Sequence, residues 1–109
     1  EAYLQMGRVS LALGYTSRAI DSYRMAELFG QQGPDLYVGR AEALRQRGLH
    51  RQALADYDRA LRLDPTLPKA HWGRARVLWK TGDLGPAMED TFTAFGFLLR
   101  NGLRSLAGR

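Results

Sequence analysis

Leu-Tyr-Val-Gly-Arg-Ala at residues 36–41 recurs as Ala-His-Trp-Gly-Arg-Ala at residues 70–75, and this repetition decides the fold. The last three residues of the two copies are identical, and the copies lie 34 positions apart. A further step of 34 positions towards the N-terminus places Gly7 in the column of Ala41 and Ala75. A fixed spacing of this size is typical of proteins built from stacked structural repeats, because each repeat covers the apolar face of its neighbour.

Columns of small residues run through all three copies without a gap. Small side chains let neighbouring helices approach closely, and an aromatic ring can then fill the space beside them. Tyr23 and Tyr57 form such an aromatic column, with Thr91 as its third member. The small-residue columns are Gly14, Gly48 and Gly82; Ala19, Ala53 and Ala87; and Ala26, Ala60 and Ala94.

Each copy is predicted to form two helices. In the second copy, one helix face is formed by residues at i, i+3, i+4 and i+7, which are Tyr37, Arg40, Ala41 and Leu44. Gly48 then interrupts the pattern, as a residue with left-handed backbone at a helix end does. A second amphipathic run ends before Pro65, which disfavours helix at the residue preceding it.

The chain is therefore predicted to be a single all-α domain, a right-handed solenoid of three helix-turn-helix units. Without a proline at its end, the last helix of the third unit is expected to continue to about Arg100. The tail is then expected to cap the last apolar face or to be a frayed end of the chain. The predicted boundaries are 1–33 for the first unit, 34–67 for the second, 68–101 for the third and 102–109 for the capping segment.

These columns resemble the tetratricopeptide repeat family, whose unit is 34 residues long. Two units lack the proline of the family pattern: the first has Gln31 at that position and the third has Leu99. The third unit also has Thr91 in place of an aromatic residue. The resemblance implies a protein–protein interaction module in which the first helix of each unit lines a concave groove that binds extended peptides. The second unit carries the family pattern most fully, through Tyr37, Ala41, Leu44, Gly48, Ala53, Tyr57, Ala60 and Pro65.

The groove positions implied by the resemblance include a stripe that the spacing also supports. Trp72, Arg76, Trp79 and Lys80 lie at i, i+4, i+7 and i+8, so they share one helix face. A cation beside a tryptophan suits capture of a carboxylate with an apolar side chain alongside, although Trp79 could instead pack on the tail. The predicted binding residues are Arg8, Val38, Glu42, Arg45, Lys69, Trp72, Arg76, Trp79 and Lys80; the wider groove adds Glu1, Leu4, Gln5, Leu11, Asp35, Gly39, Gln46 and Gly73.

Some members of the family bind the acidic C-terminal tails of heat-shock chaperones through two lysines, two asparagines and an arginine. In this sequence Lys69 alone agrees in type, and no asparagine stands at the positions that would hold the peptide backbone. We therefore expect that a chaperone C-terminal tail is not the partner and that a different peptide, acidic or carboxylate-terminated, is bound. The five matching positions are Leu4, Arg8, Gly39, Lys69 and Gly73.

The sequence carries no pattern of reactive groups, so we expect neither an enzyme nor a cofactor or metal site. There is no Cys, and the two histidines, His50 and His71, lie far apart, each expected half packed between helices. Asp56 and Asp58 point in different directions on a helix and are expected to be solvated partners of arginines. The helical glycines Gly39 and Gly73 indicate close approach of a neighbouring helix or a ligand, of which we favour the helix.

The basic charge of the chain is concentrated at one end. The net charge is +5, and residues 68–109, with seven basic and three acidic groups, supply +4 of it. This favours a groove with one basic, aromatic end over a uniformly basic surface, which argues against nucleic acid as the partner. Two alternatives remain open: a solenoid segment that stacks on further repeats or on a second copy, and binding of single-stranded RNA. The working expectation is an intracellular, cytoplasmic protein without a membrane span.

Overall fold

Five helices follow one another along the chain in the computed structural model, which describes residues 2–83, 85, 86, 89–91, 93, 95 and 96. Beyond Asp83 the described residues are helical as well. The predicted capping segment 102–109, the tail of the third unit and the groove candidate Glu1 lie outside the described residues. The five helices are α1 (Ala2–Ala12), α2 (Thr16–Leu28), α3 (Pro34–Gln46), α4 (His50–Leu63) and α5 (Pro68–Thr81).

The helix ends follow from residues that the repeat places at fixed positions. Helices α3 and α5 begin at Pro34 and Pro68, where the missing backbone N–H of proline costs no hydrogen bond. Helices α1, α3 and α5 are each followed by a glycine with positive φ, a conformation that other residues rarely adopt. The predicted turns are therefore confirmed at Gly14, Gly48 and Gly82, whose φ values are 83°, 77° and 90°.

The helices stack in two layers. Helix α1 packs on α2 and α3 packs on α4, while α2 contacts α3 and α4 contacts α5 across the unit boundaries. The first helices also touch one another, α1 against α3 and α3 against α5. This arrangement confirms the all-α solenoid of helix pairs, with the first helices forming one continuous surface.

Two buried tyrosines join consecutive units. The Tyr23 ring lies against the backbone of Gly39, and the Tyr57 ring lies against that of Gly73, in positions that a Cβ atom on either glycine would occupy. Both tyrosines are buried. A Cβ added at Gly7 would also come within 2.8 Å of the Tyr23 ring. The interpretation of the helical glycines as sites of close helix approach is thus confirmed.

Substitution Gly73→Ala should destabilise the domain, because the added methyl group overlaps the buried Tyr57 ring. Overpacking of this kind costs about 1–3 kcal/mol, and we expect it to outweigh the higher helix propensity of alanine. Urea unfolding followed by circular dichroism measures the change. The matched control is Gly85→Ala, since this glycine is also helical and nothing lies within 4 Å of a Cβ at that position. Equal stability of Gly73→Ala and the control would contradict this packing.

Candidate functional site

Residues from the three first helices meet in one concave cavity of about 720 Å³. Its floor combines apolar side chains with the bare backbone of the two glycines that face the tyrosine rings. Charged side chains stand around this floor. The lining residues are Arg8, Leu11, Ala12, Tyr23, Asp35, Val38, Gly39, Glu42, Lys69, Trp72, Gly73 and Arg76.

The α1 end of the cavity carries a cation that already has a partner. The Arg8 guanidinium Nη2 lies 3.4 Å from Asp35 Oδ2, and both side chains are exposed. An exposed ion pair of this length contributes little stability. Because the Asp35 carboxylate lies beside Arg8, an anionic ligand would find no unpaired positive charge at this end of the cavity.

The centre of the cavity holds the carboxylate of Glu42. This group accepts a hydrogen bond from the Tyr57 hydroxyl at 2.9 Å and pairs with Arg45. Burial opposes ionisation of Glu42, but the hydrogen bonds from Arg45 and Tyr57 outweigh it and lower its pKa. Burial and the nearby carboxylate raise the pKa of Tyr57, which keeps that hydroxyl a donor. The Glu42 carboxylate is therefore ionised at neutral pH, with Arg45 as its partner.

The α5 end carries two cations that have no charged partner among the described residues. Within the part of the chain that the structure describes, neither Lys69 nor Arg76 forms a hydrogen bond or an ion pair. Trp72 lies between them on the same helix face and is 41% exposed. Gly73, whose Cβ position is filled by the Tyr57 ring, contributes bare backbone to the lining next to this tryptophan. An anionic group could contact both cations here while an apolar side chain rests on the ring.

Most residues predicted to bind line this cavity, and a few do not. Arg45 stands beside it as the partner of Glu42. Trp79 and Lys80 are exposed on α5 but do not belong to its lining, and Gln5 lines a separate depression on α1. The predicted binding residues that do line the cavity are Arg8, Val38, Glu42, Lys69, Trp72 and Arg76.

Sequence reasoning missed Tyr23, which belongs to a second helix but reaches the groove floor. Its ring passes between the first helices at the gap that Gly7 and Gly39 leave. The signal was present in the sequence, because an aromatic column beside a glycine column implies that the ring fills the space over the glycine.

Behind the groove lies a buried ion pair that corrects a sequence expectation. Arg40 donates from Nε and Nη2 to the two oxygens of Asp56, at 2.8 and 2.9 Å, and their side chains are 7% and 4% exposed. Arg40 Nη1 also donates to Glu27 at 3.0 Å. The expectation that Asp56 is solvated was therefore wrong, whereas Asp58 is exposed and pairs with Arg74. The 34-residue spacing could have indicated this ion pair, because Arg74 and the buried Asp90 form the same pair 34 residues later.

His71 belongs to this second network. Its Nδ1 lies 3.0 Å from Asp90 Oδ1, and its Nε2 lies 2.9 Å from the Pro65 carbonyl oxygen. Burial opposes ionisation of Asp90, but hydrogen bonds from Arg74 and His71 outweigh it and lower its pKa. His71 is thus buried rather than half solvated, and it ties the loop before α5 to the third unit.

In residues 2–83 and the described positions beyond them, no three His, Asp or Glu side chains cluster closely enough to hold a metal ion. Among the helices that the structure describes, none combines the length and the apolar character needed to cross a membrane.

Comparison with known proteins agrees with this architecture. A family model described as TPR repeat matches residues 41–82. The first TPR domain of human RPAP3, an NMR structure, superposes with a TM-score of 0.83 at 22% identity, over 97% of this chain and 87% of that one. The second TPR of Spaghetti (RPAP3), solved with the HSP90 peptide SRMEEVD, gives 0.84 at 24% identity, over 88% and 84%.

The chain belongs to the tetratricopeptide repeat family and is a protein–protein interaction module. Among curated proteins, it is 38% identical over 80 residues to the tetratricopeptide repeat and J domain-containing co-chaperone DNJ1 of Cryptococcus neoformans var. grubii. The match covers 73% of this chain and 15% of the length of that relative.

These findings correct the expectation that a chaperone C-terminal tail is not the partner. A domain of this fold has been solved with an HSP90 peptide, and the curated relative is a co-chaperone. The expectation rested on five matched positions alone. It took no account of cations elsewhere on the first helices, and Arg76, one turn beyond Gly73, lines the cavity without a partner among the described residues.

Proposed function

We propose that this domain binds the acidic C-terminal segment of a partner protein in the concave cavity, with the carboxylates of the peptide at the α5 end. The observation that carries the proposal is that Lys69 and Arg76, on either side of the exposed Trp72, have no charged partner in the part of the chain that the structure describes. Hydrogen bonds between charged partners are stronger than neutral ones, and this is the part of the cavity that can form them without displacing an existing ion pair.

The charges along the cavity set the direction of the peptide. Asp35 near α1 and Glu42 in the centre already pair with Arg8 and Arg45, whereas the α5 end has two cations without a partner among the described residues and attracts acidic side chains. The HSP90 peptide bound by the similar domain, SRMEEVD, carries its acids in its last four residues and an arginine near its start. A peptide of this pattern would place its acidic end against α5 and its basic residue towards Glu42.

Apolar contacts supply the remaining affinity. Leu11 and Val38 contribute to the floor, and the ring of Trp72 offers a flat surface beside the cations. A valine or methionine side chain of the peptide could be removed from water on this surface. Capture of a carboxylate by Lys69 and Arg76 then fixes the position of the chain end.

The experiment is an anisotropy titration of N-terminally labelled SRMEEVD into the domain, compared with the same peptide ending in an amide. A hydrogen bond to a charged group contributes roughly 1.5–3 kcal/mol, so we expect the amide to bind at least about tenfold more weakly. Affinity should also fall as salt is added, because exposed charges are screened. Equal binding of acid and amide, or no binding of either at low salt, would refute the proposal.

A further inference from the structure

The outer face of α1, formed by Ala2, Met6 and Val9, faces away from the rest of the solenoid. The equivalent positions of the second and third units can be compared with this surface. Val9 corresponds to Ala43 and Val77, each 34 residues from the next, and both of these are 0% exposed, whereas Val9 is 56% exposed. The same position is thus fully covered in the second and third units and open in the first.

The other two positions of this face behave in the same way. Ala2, which is exposed, corresponds to the buried Leu36 and Ala70. Met6, 53% exposed, corresponds to Arg40 and to Arg74, which lie within the two ion-pair networks. At these unit boundaries α2 packs on α3 and α4 packs on α5, and Glu27 and Asp58 of the preceding helices pair with Arg40 and Arg74.

The chemistry of the α1 outer face differs from that of its two counterparts. Arg40 pairs with Asp56 of its own unit and with Glu27 of α2, so an ion pair crosses the boundary between the first and second units. In the first unit Met6 stands at the position of Arg40, and the buried Ser22 stands at that of Asp56. Both members of the ion pair are therefore replaced together. Beside them lies a depression of about 570 Å³, which Met6, Val9 and Ser22 help to line.

We propose that the α1 outer face is an interface for an amphipathic helix that packs on it as α2 packs on α3. The occupant carries an apolar side chain opposite Met6, where α2 presents Glu27 to Arg40. An acidic residue there would lose its water without gaining a cation, whereas an apolar residue would share the depression with Met6 and Val9.

The test adds such a helix to the full chain. A second copy of residues 16–34, α2 with its following loop and the proline that begins α3, is fused ahead of residue 1, which places it in the 34-residue register. Two fusions are compared, one with the copy unchanged and one with Glu27→Leu in the copy only. We expect the second to raise the melting temperature by at least about 5 °C, and by more than the first, because an added repeat interface stabilises a solenoid.

The matched control is Val9→Asp. In the original chain Val9 is exposed, so this variant should leave the melting temperature unchanged; in the Glu27→Leu fusion it should remove the gain. The proposal would be overturned by a fusion with no gain, by an equal gain for the two fusions, or by a gain that survives Val9→Asp. Concentration-dependent association of the original chain that Val9→Asp abolishes would instead assign this face to a second copy.

Discussion

Substitution Asp56→Ala will lower the free energy of unfolding by about 3–5 kcal/mol, because it leaves the Arg40 guanidinium buried without its main partner. Arg40 would retain only Glu27, which is more exposed than Asp56. Urea unfolding at neutral pH measures the loss. The surface pair provides the matched control. Asp58→Ala removes a carboxylate that is 51% exposed, and we expect a cost of no more than about 1 kcal/mol.

The first unit supplies a way to separate charge from packing in this experiment. It carries Met6 and Ser22 at the positions of Arg40 and Asp56. A double variant, Arg40→Met with Asp56→Ser, removes both charges together and should recover much of the stability that Asp56→Ala loses. If the double variant were less stable than Asp56→Ala, or if Asp56→Ala and Asp58→Ala cost the same, an unpaired buried charge would not be the cause.

The double variant Lys69→Glu with Arg76→Glu will raise the dissociation constant for SRMEEVD at least about 30-fold. Loss of buried or partly buried charge pairs across an interface costs about 2 kcal/mol or more, which corresponds to this factor. Reversal of both charges also adds repulsion of the peptide acids at the α5 end. Neither residue has a hydrogen bond or ion pair among the described residues, so the variant should unfold at the same denaturant concentration as the unmodified protein.

The control double variant has the same net charge, but its two substitutions lie outside the cavity. Arg51→Glu with Arg62→Glu changes two exposed residues of α4 that do not line the cavity. We expect this pair to weaken binding only slightly, through long-range attraction that salt screens. An equal loss in both double variants would mean that the overall positive charge of the domain, rather than the α5 end of the cavity, attracts the peptide.

The sequence was sufficient to predict the helix pairs because the signals for them are local or strictly periodic. Glycines that take positive φ and prolines at helix starts act within one or two residues. The close approach at Gly39 and Gly73 could be inferred because glycine within a helix is costly and needs a reason. These positions depend little on where distant side chains lie.

The site was harder to predict because helical spacing describes one helix and the cavity involves three. Trp79 and Lys80 share a stripe with Trp72 on α5, yet they lie outside the lining that the three first helices form together. Tyr23 reaches the floor from another layer, and the burial of Asp56 depends on α3 lying opposite α4. Arg40 and Arg74 recur at the 34-residue spacing, as the small and aromatic residues do. The ion pairs could therefore have been predicted if charged residues at repeated positions had been compared in the same way.

The most direct test of peptide binding in this cavity uses the two tryptophans, since both belong to α5 and only Trp72 lines the groove. In a ¹H–¹⁵N correlation spectrum of the labelled domain, their indole N–H groups give two separate signals that can be assigned with Trp72→Phe and Trp79→Phe. As SRMEEVD is added, we expect the Trp72 indole signal to move in a saturable manner, and to move clearly more than that of Trp79. Saturable binding that shifts neither indole, or Trp79 alone, would contradict a site at the α5 end of the cavity.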